Sequence, residues 1–331
     1  MTLATISDFK IIFIKQTCLI QMPPEFTQVE AEELKSQTQK IIQNHSNLKN
    51  ITLDFARTTL IDSSGLIGLC QIAKEIKDAN LKLTFWSFSS EVKTILSSAK
   101  LDLIWQAEVG TDAVLFNKQL GSTENKIAFH PSTYSMGKRL LDICGALIGI
   151  CITAILIIPI AIAIRLDSPG AILFSQIRCG HMGKKFRIWK FRSMVVDADR
   201  LQHEVPNQAR GPFFKNESDP RITRVGRFLR KTSLDEFPQF WNVLKGEMSL
   251  VGTRPPTERE VSNYKIAHGQ RLNVKPGLTG EWQVSGRSSV KDFQDVLNLD
   301  LQYQQNWSWF YDLKLIFKTI GVIFSPRSGA C

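Results

Sequence analysis

ICGALIGICITAILIIPIAIAI, from Ile143 to Ile164, is 22 residues without a charge, and whether it crosses a membrane or returns to the side it entered decides the fold. As a straight helix it would measure about 33 Å, enough for a hydrocarbon core of about 30 Å. Two features argue for a return. Pro159 removes a helical hydrogen bond and bends the axis. Basic residues stand at both ends, Lys138 and Arg139 before, Arg165, Lys184 and Lys185 after, and positive charge keeps to the cytoplasmic side. The expectation is a membrane helix over about 140–166, either a single crossing or a re-entrant hairpin broken at Pro159.

The charge divides around this segment. The formal net charge is +10; residues 1–137 hold 13 Lys/Arg against 14 Asp/Glu, and residues 138–331 hold 28 against 17. All the excess lies in the second part, which therefore faces an anionic partner: nucleic acid, an acidic membrane surface or a phosphorylated small molecule. Nucleic acid is set aside because it leaves the apolar segment unexplained. The six cysteines contain no C-x-x-C pair and the five histidines no metal-ligand spacing, so neither a disulfide framework nor a zinc site is expected. MTLATISDFK lacks the layout of a secretory signal.

Upstream, strand and helix patterns alternate, as in a small α/β layer domain. Lys10–Met22 reads as a strand or hairpin, PEFTQVEAEELKSQTQKIIQ as a helix, Ile51–Phe55 and Leu81–Phe88 as buried strands. Asp62-Ser63-Ser64-Gly65 opens a helix with apolar positions at Leu66, Leu69, Ile72, Ala73 and Ile76. ITLDFARTTLIDSSGLIGL together with SSEVKTILSSAKLDLIW resembles the STAS fold of anti-sigma factor antagonists. That resemblance implies a binding or regulatory domain over 1–121, with a protein partner or kinase and a regulatory phosphosite at Ser63. The alternative is that Ser63 simply caps the helix with its hydroxyl. Polar, turn-rich residues 122–137 read as a linker.

Downstream, FRIWKFR places Lys190 and Arg192 on one strand face by the two-residue period, where two cations could hold a diphosphate. Asp197-Ala198-Asp199 reads as surface acid rather than a metal site. Arg221, Arg224, Arg227 and Arg230 recur every third residue and drift around a helix. Most are expected at the membrane surface or in solvent, with Arg230 kept for chemistry. Then come Asp235 and Glu236, flanked by Arg230 and Arg254. Pro238 is tolerated only near a helix start, so Asp235 is expected as N-cap, with an apolar stripe at Phe237, Phe240, Trp241 and Leu244 and a stop at Gly246. Arginines keep a carboxylate ionised, as a nucleophile requires, and two acids with a divalent cation can hold a diphosphate.

KFRSM, RKTSLDEFPQFWNVLKGEMSLVGTRPP, VKPGLTGEWQVSGR and NWSWFYDLKLIFKT, in that order, resemble the monotopic bacterial phosphoglycosyl transferases. The resemblance implies an α/β catalytic domain over 138–331 with a re-entrant helix and interfacial amphipathic helices, at the cytoplasmic face of the bacterial inner membrane. It implies transfer of a phosphosugar from a UDP-sugar to a polyprenol phosphate such as undecaprenyl phosphate. UMP is released, and the first membrane step of polysaccharide or glycoconjugate synthesis is performed. Asp235 matches the nucleophile that becomes an aspartyl-phosphosugar, Glu236 its Mg²⁺-organising partner, and Lys190, Arg230 and Arg254 phosphate contacts. Thr253 stands where the family usually has proline, which loosens the turn presenting Arg254, and Ala171 where a proline often follows Ser-Pro-Gly. In the last helix Leu313, Ile316, Phe317, Ile320, Ile323 and Phe324 share an apolar face opposite Lys314 and Lys318, as in an interfacial helix. The competing reading is an inactive membrane scaffold acting through the STAS-like part; the sugar is left open, as is a homodimer.

Overall fold

The computed structural model describes residues 9–87, 92, 95, 96, 130–286, 290 and 292–324, arranged as two compact units. The first contains residues up to 129 together with Met182–Lys184 and Tyr264–Asn273. Its sheet has the order β1 (Lys10–Ile14), β2 (Thr17–Gln21), β4 (Asn50–Asp54), β6 (Lys82–Trp86). The first pair is antiparallel and the others are parallel. Ile14 opposite Thr17 makes Lys10–Gln21 a hairpin, with Lys15 at φ 52° in its turn. β3 (Glu25–Phe26) and β5 (Leu60–Ile61) form a separate parallel pair.

Helix α1 (Gln28–Asn44) begins with a capping box between Thr27 and Glu30. Helix α2 (Ser63–Asp78) begins at Asp62, whose carboxylate accepts the Gly65 N–H at 2.7 Å. The cap is therefore Asp62, and Ser63 is the first helical residue rather than the cap. Ile20, Ile51, Leu53, Leu34, Leu69 and Ile72 fill the core between sheet and helices, and Met182 and Ile266 complete it.

In the second unit, α3 runs Met136–Asp167 without interruption through Pro159, so the expected break is no helix end and the helix starts within the expected linker. At 32 residues it is about 48 Å long if straight, and among the described residues it is the one helix long and apolar enough to cross a membrane. Both of its halves pack against the same hairpin of β7 (Leu173–Cys179) and β8 (Lys185–Phe191) and its neighbours. Ala146 meets Phe186, Ile188 and Val243, while Ile160 and Ile164 meet Phe191 and Leu229. Between these contacts Ile152, Ile155, Ile157 and Ile158 are exposed. The face of α3 that meets this body is continuous, running through Gly149 and Leu156 as well, and the exposed isoleucines stand on the opposite face.

The basic residues in the first turn of α3 have other work. Lys138 is buried and donates to Asp312 at 2.6 Å and to the Val251 carbonyl at 3.0 Å, with the Tyr303 hydroxyl completing the cluster. Arg139 donates to the carbonyls of Val243 and Leu244. Neither is a free membrane-flanking charge.

The rest of the unit comprises α4 (Arg224–Lys231), α5 (Phe240–Lys245), β9 (Ser249–Val251) parallel to β10 (Gly277–Thr279), α6 (Glu258–Ser262), α7 (Glu281–Gly286), α8 (Phe293–Gln305) and α9 (Trp309–Phe324). In α9 the core residue is Leu315, whereas Phe310, Leu313, Phe317 and Ile320 are exposed. Of the face expected from periodicity, Leu313, Phe317 and Ile320 are outward, Ile316 packs against the Leu315 cluster, and the side chains of Ile323 and Phe324 lie outside the described residues.

Candidate active site

The acid pair lies in a six-residue 3-10 turn, Leu234–Gln239, that leads into α5. The turn starts after Ser233, which adopts φ 57°, so Asp235 is its second residue and not an N-cap. Pro238 is then the fifth residue. Having no N–H, it leaves out the bond that a 3-10 turn would make from this position to the Asp235 carbonyl. Asn242 fixes the register of α5 against β8: fully buried, it donates to the Arg187 carbonyl at 2.7 Å and accepts from Trp189 N–H at 3.4 Å. The buried residues here are Asp235, Gln239, Asn242 and Val243. Of the expected stripe, Trp241 is exposed and Phe240 rests on α3 at Gly149, where a methyl group would collide with the ring. Gly246 ends the helix at φ 80°, as expected.

Asp235 is buried at 5% exposure. Lys190, projecting from β8, donates to Glu236 at 2.7 Å. Arg230, at the end of α4, donates through Nε to the Ser193 hydroxyl at 2.9 Å. Burial lowers the pKa of its guanidinium, and the charge is supported first by Asp235. Gly226 brings α4 against the Ser193 carbonyl so closely that a side chain there would collide with it, which is how the KFRSM segment and the arginine helix are joined.

Arg254 donates to both oxygens of Glu260, at 3.0 and 3.2 Å. Glu260 also accepts the Thr257 N–H at 2.9 Å. Burial alone would raise the Glu260 carboxyl, but Arg254, then Arg178, hold it below the usual carboxylate range. The turn presenting Arg254 is firm: Thr253 is buried, bridges to Pro276 and accepts the Gly277 N–H at 2.8 Å.

Arg178, which the sequence did not single out, joins this group. It donates to the Pro255 carbonyl at 3.1 Å, and burial, then Arg254, pull its guanidinium down to about 10, with Glu260 and Glu236 opposing. Its signal is tertiary: β7 bridges Thr257 at this position. Lys190, Arg178, Arg230 and Arg254 thus outnumber Asp235, Glu236 and Glu260, which leaves the cluster cationic and suited to an anion.

Arg192 differs from expectation. β8 ends at Phe191, and the Arg192 guanidinium is buried, donating to the carbonyls of Ser168 and Pro169 at 2.6 Å. It clamps the turn after α3 instead of pointing with Lys190. Arg221, expected at a surface, is buried in a two-bond pair with Asp219, at 2.6 and 2.9 Å, whereas Arg224 and Arg227 are exposed. Asp197 lies in a turn at φ 60°. Ser63 lies in the first unit, 1% exposed.

Among the described residues no three or more His, Cys, Asp or Glu side chains assemble as a metal site. A Mg²⁺ ion takes one or two carboxylates from protein when phosphate oxygens and water complete its shell, and Asp235 and Glu236 are the two acids of this turn.

Residues 9–110 match the STAS domain. Galactosyl transferase CpsE of Streptococcus agalactiae serotype III (strain NEM316) is 50% identical over 197 residues, 59% of this chain and 44% of that protein. A UDP-galactose-lipid carrier transferase of Erwinia amylovora is 42% identical over 230 residues, 67% of this chain and 47% of that protein. The exopolysaccharide production protein ExoY of Rhizobium meliloti (strain 1021) is 38% identical over 201 residues, 59% of this chain and 88% of that protein. The chain thus spans less than half the length of the first two. Residues 133–326 match the bacterial sugar transferase family, and the chain belongs to it.

Proposed function

We propose that this chain transfers a phosphosugar from a UDP-sugar to a polyprenol phosphate at the cytoplasmic face of the membrane. The observation that carries the reading is the buried Asp235 beside Arg230, with Glu236 held by Lys190 at 2.7 Å, in a cluster where cations exceed acids. Relatives support it in kind: one is named an undecaprenyl-phosphate galactose phosphotransferase (Salmonella typhimurium) and another a UDP-glucose:undecaprenyl-phosphate glucose-1-phosphate transferase (Escherichia coli).

In the first step an Asp235 oxygen attacks the sugar-bearing phosphorus. The bond to the bridging diphosphate oxygen breaks, and UMP departs with that electron pair. In the second step a phosphate oxygen of the lipid attacks the same phosphorus and Asp235 leaves as carboxylate. Lys190, Arg230 and Arg254 neutralise the charge that develops on phosphate. Asp235 and Glu236 would hold Mg²⁺, which supplies further charge neutralisation when bound. The exposed apolar middle of α3 and the outward Phe310, Leu313 and Phe317 of α9 suit a lipid acceptor delivered at a membrane surface.

The test is purified protein in detergent with UDP-sugars and Mg²⁺ but no lipid. UMP release and a phosphosugar adduct on Asp235 by mass spectrometry are expected; absence of both across a UDP-sugar panel would sink the reading.

A further inference from the structure

Arg178 joins the end of β7 to the Arg254 turn. It bridges Thr257, its Nη1 donates to the Pro255 carbonyl at 3.1 Å, and the Cys179 N–H donates to the Pro256 carbonyl at 2.9 Å. Strand end and turn thus present two guanidiniums, Arg178 and Arg254, close enough to repel one another. The acids that support Arg178 are first Glu260 and then Glu236. Each has an ion pair elsewhere: Glu260 with Arg254 at 3.0 Å, Glu236 with Lys190 at 2.7 Å. Among the described residues Arg178 forms no ion pair, and its Nε is enclosed without a hydrogen-bond partner.

A brace for the turn would look different. Arg139 and Arg192 are such braces, and each places both of its Nη groups on backbone carbonyls. Arg178 places one, and its Nη2 makes no bond among the described residues. A partly buried guanidinium that shares its nearest acids with other cations is costly until an anion completes it.

We propose that Arg178 and Arg254 form a single phosphate seat, filled first by the leaving phosphate of the nucleotide and then by the phosphate of the lipid acceptor. The assignment rests on the proposed transfer reaction, in which one side chain, Asp235, is nucleophile and then leaving group. Attacking and leaving oxygens lie in line across the phosphorus, so UMP departs on the side away from Asp235. In the second step a lipid phosphate oxygen forms its bond to that phosphorus as the Asp235 bond breaks, the carboxylate leaving with the electron pair. The entering oxygen must then come through the side that UMP vacated. Both visitors are phosphate monoesters of about −1.5 to −2 charge, so one pair of guanidiniums suits either. Arg230 and Lys190 do not fill this role, because Arg230 is supported first by Asp235 and Lys190 is engaged by Glu236.

The test uses the full chain in detergent and reads two quantities: UMP binding by calorimetry, and the initial rate of lipid-linked product from the preformed adduct and a short-chain polyprenol phosphate. Arg178→Met is expected to weaken UMP binding and to raise the KM for polyprenol phosphate, each about tenfold, with kcat within about threefold. Arg178→Lys should recover most of both by keeping the charge. A change in one quantity without the other overturns the proposal, as does a fall in kcat alone, the mark of a brace. In the parent chain UMP should compete with polyprenol phosphate; inhibition that excess lipid does not relieve overturns the shared seat even where Arg178→Met fails to fold. Adduct formation with UMP binding unchanged in Arg178→Met removes the seat and leaves the transfer reading standing. No adduct from any UDP-sugar, with UMP binding lost in Arg178→Met, removes the transfer reading and with it the second use of the seat.

Discussion

At Asp62 an acid caps a regular 16-residue helix, its carboxylate accepting the Gly65 N–H at 2.7 Å. At Asp235 an acid pair sits within a six-residue 3-10 turn entered through a left-handed serine, and its neighbour Glu236 is engaged by Lys190 from a strand remote in sequence. The first acid serves the backbone that carries it. The second pair is mounted on strained, short structure and balanced by cations drawn from β7, β8, α4 and the Arg254 turn. Local backbone needs can be met by neighbours in sequence; a site that must hold substrate phosphate is assembled from distant elements, with more positive charge than its own acids consume.

The contrast can be broken by substitution. Asp235→Asn preserves shape and removes the proposed nucleophile, and UMP release should drop on the order of 10⁴-fold or more with no change in melting temperature beyond a few degrees. Retained turnover would place the chemistry elsewhere. Lys190→Met removes the cation on Glu236 and is expected to lower UMP release about 10²-fold; a fall that excess Mg²⁺ fully restores would instead make Lys190 a stand-in for the metal. Asp62→Ala should leave the catalytic rate of the second unit alone and cost the first about 1 kcal/mol in chemical denaturation, the usual cost of a lost cap.

Acid sharpens the same contrast. Burial raises the Asp62 carboxyl above its ordinary 3.8, so between that value and its folded pKa the native state holds the extra proton and acidification does not cost stability there. Glu260 is held below its ordinary 4.5 by Arg254 and Arg178. Its contribution is complete above 4.5 and is lost as pH falls through the folded value, because the unfolded chain takes the proton first. Melting temperatures from pH 7 to pH 3 should show Glu260→Gln flattening the acid limb and Asp62→Asn steepening it, since the proton Asp62 takes up in the native state is then lost; the reverse pattern would invert the assignment.

Much of the first unit was legible because its signals are local. The hairpin at Lys10–Gln21, the box at Thr27 and Glu30, and the helix opened by Asp62 each depend on residues within a few positions. Around the candidate site the residues themselves could be picked out, Asp235, Glu236, Lys190, Arg230 and Arg254 among them, but their mountings could not. Arg192 was read from strand period, yet β8 stops one residue short of it. Lys138 was read as a membrane flank, yet Asp312 lies 2.6 Å away across 174 positions of sequence. Arg178 carries no local mark, because its partner belongs to another element, and the local mark on Glu260, a capping box with Thr257, does not announce its pairing with Arg254.

By itself the sequence determined the two-part organisation, the apolar helix with its proline, the α/β class and the acid pair in cationic surroundings, since composition, periodicity and adjacent residues are properties of the chain alone. Tertiary structure decided that α3 packs on one body through both its halves, that Arg192 and Arg221 are structural, and that Ser63 lies beneath a returning segment of the same chain. The reason is physical. Whether a long side chain meets a ligand, a carbonyl or a carboxylate depends on what folding brings within about 3 Å of its tip, and no pattern along the chain encodes that distance.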